Sequence, residues 1–197
     1  MLEDSDNKRT IFETALKLFS ERGYEAVGVA ELCEASGLTK PTLYHYYGSK
    51  RGLLDAIIGE KGGILEARVK EAAVYRAGDR ARGVPDGLEA LAFAFSRFAQ
   101  AEPDFARLRL SLAVAPPASE GGLAARALNE GILSCVEGFF RAAALDHGNM
   151  RGRSAPYAAA FIGAMDAYAG LYLAGRGELG DEAVRASVRR FMYGIFS

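Results

Sequence analysis

Apolar residues recur at helical spacing from one end of this 197-residue sequence to the other. The first clear stripe consists of Ile11, Phe12, Ala15, Leu16 and Phe19. Its members lie three or four residues apart, as on one face of an α-helix, and no stretch of the sequence shows the period-two alternation of a half-buried β-strand. The sequence therefore predicts an all-α fold, which capping and helix-breaking residues divide into about nine helices.

Residues with specific backbone roles divide the first fifty positions into short helices. Gly23 is predicted to end the first helix in the left-handed conformation, and a second helix covers about residues 29–35. A tight turn at 36–39 leads into a third helix, which Thr39 caps and which ends near Tyr47. Three short helices with a tight turn between the second and third form a helix-turn-helix, which offers its third helix to the major groove of DNA.

The third helix has an unusual composition for a surface helix or a core helix. It reads KPTLYHYY, and the surrounding stretch from Ala35 to Leu54 contains no acidic residue. A solvated helix mixes charges of both signs, whereas a core helix does not carry Lys40 and His45. The formal net charge of −1 argues against nonspecific coating of nucleic acid, so a local surface must bind. The composition favours contact between this helix and DNA.

Residues 11–54 resemble the signature of the TetR (tetracycline-repressor-like) family almost throughout. The matching runs are I-F-E-T-A-L-K-L-F-S-E-R-G-Y and V-A-E-L-C-E-A-S-G-L-T-K-P-T-L-Y-H-Y-Y-G-S-K-R-G-L-L. The resemblance implies a homodimeric repressor that binds a palindromic operator in double-stranded DNA and is released by a small apolar or amphipathic ligand. We place the boundary between a DNA-binding domain, 1–51, and a helical ligand-binding and dimerisation domain, 52–197.

The start of the third helix has the chemistry for reading base edges. Lys40 can donate hydrogen bonds to guanine O6 or N7, while Pro41 and the methyl group of Thr42 suit contact with a thymine methyl. Structural roles compete with this interpretation, because Thr39 could be only a helix cap and Pro41 only a helix initiator. We expect these residues to set the sequence preference.

Phosphate contacts are assigned to the following positions. Tyr44 and Tyr46 can place phenolic hydroxyls on phosphates, and Lys50 adds charge where the free amides of the next helix also attract a phosphate. His45 could reach either a base or a phosphate, whereas Tyr47 matches a family aromatic that packs inward. The predicted DNA-binding residues are Thr39, Lys40, Pro41, Thr42, Tyr44, His45, Tyr46 and Lys50.

The second helix departs from the family pattern. Val27-Gly28 stands where TetR proteins commonly have two threonines, and Ala30 stands where many have a long polar side chain. Glycine caps a helix acceptably but brings no hydroxyl. We therefore expect little DNA contact from this helix.

A long helix is predicted to start at a Ser49 cap and to run toward Tyr75. It contains Gly59, Gly62 and Gly63, each of which costs about 1 kcal/mol relative to alanine. Because a ligand can release DNA only through an element with two arrangements, this glycine cluster is our candidate hinge. Alternatively, the glycines only permit close packing or mark a helix end.

The remaining boundaries follow from turn and capping residues. Asp86 with Glu89 resembles a capping box for a helix that ends at Ala101. The other predicted elements are a loop at 77–85, a helix from Pro103, a connection at 115–122, and helices over 123–145, 156–174 and 181–196.

The helix predicted over 156–174 carries small residues on one face and bulky ones opposite. Small residues let helix backbones approach closely, so we assign the small face to the partner subunit, although both faces could simply pack within one subunit. In the TetR family the last two helices of each subunit form an intersubunit four-helix bundle. The predicted dimer interface comprises Gly163, Ala167, Gly170, Ala174, Val184, Val188, Phe191, Met192 and Ile195.

A ligand pocket is predicted between the long fourth helix and the later helices. Aromatic and methionine side chains at helical spacing could line it, although such residues are more often plain core. Asp166 is an acid in an otherwise apolar helix and could bind a ligand or face solvent. The candidate lining is Phe95, Phe98, Phe105, Leu108, Met165, Asp166, Tyr168 and Tyr172.

Other function classes fit the sequence poorly. The two histidines, His45 and His147, have no matching nucleophile, metal ligands or phosphate loop around them, so we expect no catalytic site, metal or cofactor. No apolar run approaches the roughly 18 residues that span a bilayer, and Cys33 and Cys135 lack metal-ligand spacing, so we expect a cytoplasmic protein. The main alternative is a ligand-binding helical dimer whose DNA-binding head is weak or vestigial.

Overall fold

The computed structural model describes residues 2–76, 78 and 83–194, and within these ranges every regular element is a helix. The predicted all-α fold is therefore confirmed. The helices are α1 (Leu2–Arg22), α2 (Val29–Ser36), α3 (Lys40–Tyr47), α4 (Lys50–Ile57), a π-helical turn (Ile58–Gly62), α5 (Gly63–Ala72), α6 (Val84–Ala101), α7 (Pro103–Ala113), α8 (Glu120–Ala143), a 3-10 turn (Gly148–Met150), α9 (Ser154–Leu173) and α10 (Asp181–Tyr193).

The chain forms two compact units. The first comprises Met1–Gly63 and Asp104–Ala127, and the second comprises Ile64–Pro103 and Leu128–Ser197. The first unit therefore contains the helix-turn-helix together with α4, most of α7 and the start of α8. The domain boundary after residue 51 stays a prediction.

The core of the helix-turn-helix is built on α1. All five members of the apolar stripe that begins at Ile11 are buried, and Leu32 of α2 and Leu43 of α3 are buried as well. Because α1 packs against α2, α3 and α4, this single helix supports the whole head. Gly23 ends the helical ladder of α1 with a φ of 84°, as predicted, a conformation that glycine adopts without a steric penalty.

The second unit is organised around α6, which packs against both α9 and α10. Phe161 of α9 is fully buried and meets Phe191 of α10 edge to face, with ring centroids 5.3 Å apart. Phe140 of α8 extends this cluster at 6.5 Å from Phe161 and 6.3 Å from Phe191. Aromatic side chains from three helices thus form a shared core.

The long helix predicted after Ser49 is the continuous run of α4, the π-helical turn and α5. The π-helical turn contains Gly59 and Gly62, and Gly63 begins α5. The predicted interruption is therefore present as a change of helix type. π-Helical turns are rare and frequently lie at functional sites.

Several predicted boundaries differ from the observed ones. The helix predicted from Asp86 begins at Val84, since Gly83 is the cap and its amide donates to Asp86 Oδ2 at 3.1 Å. Helix α8 begins at Glu120 rather than at residue 123, because Ser119 accepts a hydrogen bond at Oγ from the Gly122 amide at 3.1 Å.

Two of the predictions reach beyond the described part of the chain. Of the loop predicted over 77–85, residues 77 and 79–82 lie outside the described residues, whereas Val84 and Pro85 are helical. The helix predicted to reach residue 196 ends at Tyr193, and Ile195 lies outside the described residues. In the part that the structure describes, no helix is both long enough and apolar enough to cross a membrane.

Candidate nucleic-acid interface

The turn between α2 and α3 fixes where the third helix begins. Gly37 ends α2 with a φ of 68°, and the Leu38 amide donates to the Cys33 carbonyl at 3.1 Å. Thr39 then caps α3, because its Oγ1 accepts from the Thr42 amide at 3.4 Å and lies 2.8 Å from Thr42 Oγ1. The predicted cap and the predicted start of α3 at Lys40 are both confirmed.

One face of α3 is open to solvent and carries two of the three predicted base-reading residues, Lys40 and Pro41, whereas Thr42 is half-buried. Lys40, Pro41, Tyr44 and His45 are exposed, with Tyr44 at 47% of its full accessibility. These positions fall on one side of the helix because residues three to five apart lie within about 140° of each other around its axis. Leu43, on the other side, is buried. The helix thus presents a cation, a rigid ring and two hydrogen-bonding aromatics without a carboxylate.

The last turn of α3 is held against α1. The Tyr47 hydroxyl donates to the Lys8 carbonyl at 2.8 Å, and burial raises the pKa of Tyr47 to about 12. The Tyr46 ring packs edge to face against the rings of His45 and Tyr47, with centroid distances of 5.1 Å and 6.4 Å. Tyr47 is therefore part of the packing between two helices, as expected for the inward-facing aromatic.

Lys50 has intramolecular partners that the sequence did not reveal. Its Nζ donates to the carbonyls of Tyr24 at 2.9 Å and Val27 at 3.0 Å, and it lies 4.0 Å from the centroid of the Tyr24 ring. The ammonium thus satisfies two backbone carbonyls of the turn between α1 and α2. Ser49 caps α4 as predicted, accepting at Oγ from the Gly52 amide at 2.9 Å. Contact between Lys50 and a phosphate stays a prediction.

Helix α2 offers little to an anionic partner. Its cap, Gly28, makes no side-chain hydrogen bond, and Ala30 is exposed without a polar group. Glu31 in its first turn forms an ion pair with Arg22 of α1. Of the two helices in the helix-turn-helix, only α3 therefore carries an exposed cation, Lys40.

The small-residue face of α9 lies open. Gly163, Ala167 and Ala174 are exposed and Gly170 is half-buried, whereas Phe161 on the other side is fully buried. The predicted separation of a small outer face from a bulky inner face is therefore present.

The α10 residues predicted for the dimer interface are placed differently. Val184 and Val188 are buried inside their own subunit, where α10 packs along α6, so they do not lie on an open face. Phe191 and Met192 are half-buried. The apolar stripe of α10 was visible in the sequence, but its packing partner within the subunit was not.

The structure gathers some of the predicted pocket residues and separates others. Phe95, Met165 and Tyr168 line a cavity of about 10 Å³ in the second unit, which is room for about one water molecule. Asp166 and Tyr172 do not line this cavity, and Phe98 is plain core. Phe105 and Leu108 are buried in the first unit.

A groove whose lining residues the sequence analysis did not name runs along α5 and α6, with a volume of about 490 Å³. Alanines and Phe93 supply its apolar surface, Arg68 and Arg97 supply two positive charges, and Glu71 supplies one negative charge. The Arg97 guanidinium lies 4.9 Å from the centroid of the Phe93 ring, and that of Arg185 lies 5.6 Å from it. The spacing of Phe93 and Arg97, four residues apart on one helix, was the only sequence signal.

Comparisons with known proteins fall into two groups. A model of the family described as bacterial regulatory proteins, tetR family, matches residues 11–57. The HTH-type transcriptional repressor ComR of Escherichia coli K12 is 46% identical over 46 residues, which are 23% of this chain and 22% of that protein. The class D tetracycline repressor of Escherichia coli is 35% identical over 54 residues, which are 27% of this chain and 25% of that protein. The matches thus span about a quarter of these relatives.

Similar solved structures extend over nearly the whole chain. The TetR-family regulator PfmR from Thermus thermophilus has a TM-score of 0.72 and 26% identity, and the match covers 94% of this chain and 95% of that one. FadR from Bacillus subtilis, solved in complex with stearoyl-CoA, has a TM-score of 0.73 and 16% identity, and the match covers 95% of this chain and 98% of that one. At 16% identity the second likeness shows the fold alone.

Proposed function

This chain belongs to the tetR family of bacterial regulatory proteins, and from that premise we propose that it is a homodimeric repressor that binds a palindromic operator and is released by a small ligand. The observation that carries the proposal is the exposed, acid-free face of α3, in which Lys40 and Tyr44 stand at the accessible corner of the helix-turn-helix. Major-groove recognition by the second helix of such a motif needs this kind of surface.

The residues of α3 and the start of α4 have distinct roles in this proposal. Lys40 donates to a guanine, Pro41 and Thr42 contact a thymine methyl, and Tyr44 binds a phosphate. Lys50 supplies positive charge near the DNA backbone while its ammonium stays bonded to the carbonyls of the α1–α2 turn. His45 and Tyr46 form an edge-to-face pair that offers further hydrogen-bonding groups.

The dimer forms through α9. Its open face combines Gly163, Ala167 and Ala174, which let a second helix approach closely, and Asp166 is the single charged residue of α9. Two heads related by a twofold axis match the symmetry of a palindromic operator. Because Val184 and Val188 are buried within the subunit, we assign the interface to α9 and the half-buried Phe191 and Met192.

The ligand is an amphipathic anion that binds in the groove along α5 and α6. An acyl chain would lie on the alanines and Phe93, with its anionic end between Arg68 and Arg97. Stearoyl-CoA is a suitable probe, since a structure of the same fold was solved with it bound. A protein of this kind has no catalytic role and acts in the cytoplasm, where its operator lies.

Selection of fragments from the source genome by the purified protein tests the proposal. We expect enriched fragments to share one inverted repeat and stearoyl-CoA, but not free coenzyme A, to release them. The alternative, a ligand-binding dimer with a vestigial head, draws support from the first turn of α2, which exposes Ala30 and carries no cation. Enrichment without a shared motif would favour that alternative and overturn the proposal.

A further inference from the structure

Three side chains form a continuous chain of contacts from α8 to the start of α4. The Tyr24 hydroxyl donates to Glu120 Oε2 at 2.5 Å, and Glu120 is the first residue of α8. The Tyr24 ring lies under the Lys50 ammonium, 4.0 Å from its centroid. Lys50 in turn bonds the carbonyls of Tyr24 and Val27. All of these residues belong to the first compact unit.

Lys50 joins the two ends of the helix-turn-helix. Tyr24 and Val27 lie immediately before α2, and Lys50 follows α3 after only two residues. Its two hydrogen bonds therefore close a loop that contains both α2 and α3. Hydrogen bonds that involve a charged group are roughly twice as strong as those between neutral groups, so this closure resists opening.

Tyr24 is held by burial and by contacts on several sides. Only 2% of its surface is exposed, and its ring meets Phe19 edge to face at 5.1 Å. Burial and the hydrogen bond to Glu120 both raise the pKa of Tyr24, so the hydroxyl keeps the proton that it donates. Beside Glu120, a Cβ on Gly121 would come within 2.8 Å of Leu112 and 3.7 Å of the Tyr24 ring. The first turn of α8 thus packs directly on this tyrosine.

We propose that Tyr24 is a positioning residue: through Glu120 on one side and Lys50 on the other, the first turn of α8 holds the closed loop of the helix-turn-helix and thereby sets operator affinity. The inference rests on the proposed function, and it adds a connection to α8 that does not pass along α4.

Tyr24→Phe removes the hydroxyl and keeps the ring under Lys50. We expect it to weaken binding to the selected operator about tenfold, the effect of losing one hydrogen bond to a charged group. The salt dependence of binding should not change, because no phosphate contact is lost. Tyr75→Phe is the matched control, since the Tyr75 hydroxyl donates to a carboxylate elsewhere, Asp146 Oδ2 at 3.1 Å.

Glu120 provides the second half of the test. Glu120→Ala should weaken operator binding as much as Tyr24→Phe, and the double variant should bind as each single variant does, because one contact is being removed twice. Glu120→Gln keeps an acceptor oxygen and should restore most of the affinity. Thermal unfolding of each variant shows that it is folded.

Several outcomes overturn the inference. Additive losses in the double variant would mean that the two residues act separately, and lower thermal stability with unchanged operator affinity would make the contact purely structural. Wild-type protein that binds no genomic fragment would instead defeat the proposed function and this inference with it, whereas normal wild-type binding with an unaffected Tyr24→Phe variant defeats this inference alone.

Discussion

Helices α3 and α9 both expose a face that lacks the mixed charges of an ordinary surface helix. The face of α3 carries Lys40 and polar aromatics, whereas that of α9 carries glycine and alanine with Leu171 at 40% exposure. Hydrogen-bonding tips and positive charge suit an anionic partner with a defined pattern of acceptors. Small apolar groups suit the backbone of another helix. The chemistry of each exposed face therefore indicates what covers it.

The largest effect should come from blocking the α9 face. Gly163→Leu should separate the subunits and lower operator affinity by about 10²- to 10⁴-fold, because two linked heads bind far more tightly than one. Gly163 is exposed, and an added Cβ meets nothing within 4 Å, so the first carbon of the new side chain has room in the subunit. Light scattering and operator titration measure both consequences.

Gly138→Leu in the interior of α8 is the control for this change. Its Cβ also meets nothing within 4 Å, and it lies on a different helix. A Gly163→Leu variant that remained a dimer would remove α9 from the interface and break the contrast with α3.

The α3 face is tested by Lys40→Ala. We expect a loss of about 1–3 kcal/mol on the selected operator and relaxed preference at one base pair, because a donor to a base edge is removed. Lys17→Ala, at an exposed position of α1, removes the same charge without touching α3. Titrations against operators substituted at each position measure the preference, and unchanged discrimination would show that Lys40 does not read a base.

Substitutions in and beside the π-helical turn test whether its glycines are needed for release of the operator. A Cβ at Gly59 or Gly63 would meet nothing within 4 Å. Gly59→Ala and Gly63→Ala should therefore each stabilise the helix by about 0.5–1 kcal/mol. Glu60 in this turn accepts a hydrogen bond from Arg9 of α1 at 2.7 Å. A stiffer π-helical turn should therefore restrict the position of α1. We expect weaker release of the operator by stearoyl-CoA in the double variant.

The measurement for this prediction is the ratio of operator affinities with and without stearoyl-CoA. Thermal unfolding provides the control, since the double variant must be folded and at least as stable as wild type. An unchanged ratio in such a protein eliminates the glycine cluster as the hinge.

The smallest effect concerns the packing behind α3. Burial raises the pKa of Tyr47 to about 12, above the value of about 10 for an unfolded chain. Because the pKa is higher in the folded state, the neutral, buried Tyr47 hydroxyl stabilises the fold fully below about pH 10. This stabilisation is lost as the pH rises toward 12. The stability difference between wild type and Tyr47→Phe should therefore shrink over that interval.

Sequence reasoning succeeded where function depends on local chemistry. The Thr39 cap, the positive φ of Gly23 and the exposed face of α3 all follow from residues within one or two turns of each other. It failed where a residue depends on a distant partner. Lys50 bonds carbonyls 23 and 26 residues away, and Val188 is buried because α10 packs along α6. An apolar stripe shows that a face is covered without showing by what.

Helix α3 is proposed to read a specific DNA sequence. The most direct measurement is the ratio of affinities for the selected operator and for a scrambled fragment of equal length, taken at physiological salt. We predict that the operator binds at least about a thousandfold more tightly, as specific regulators do. A ratio near one, from folded and dimeric protein, would contradict the claim.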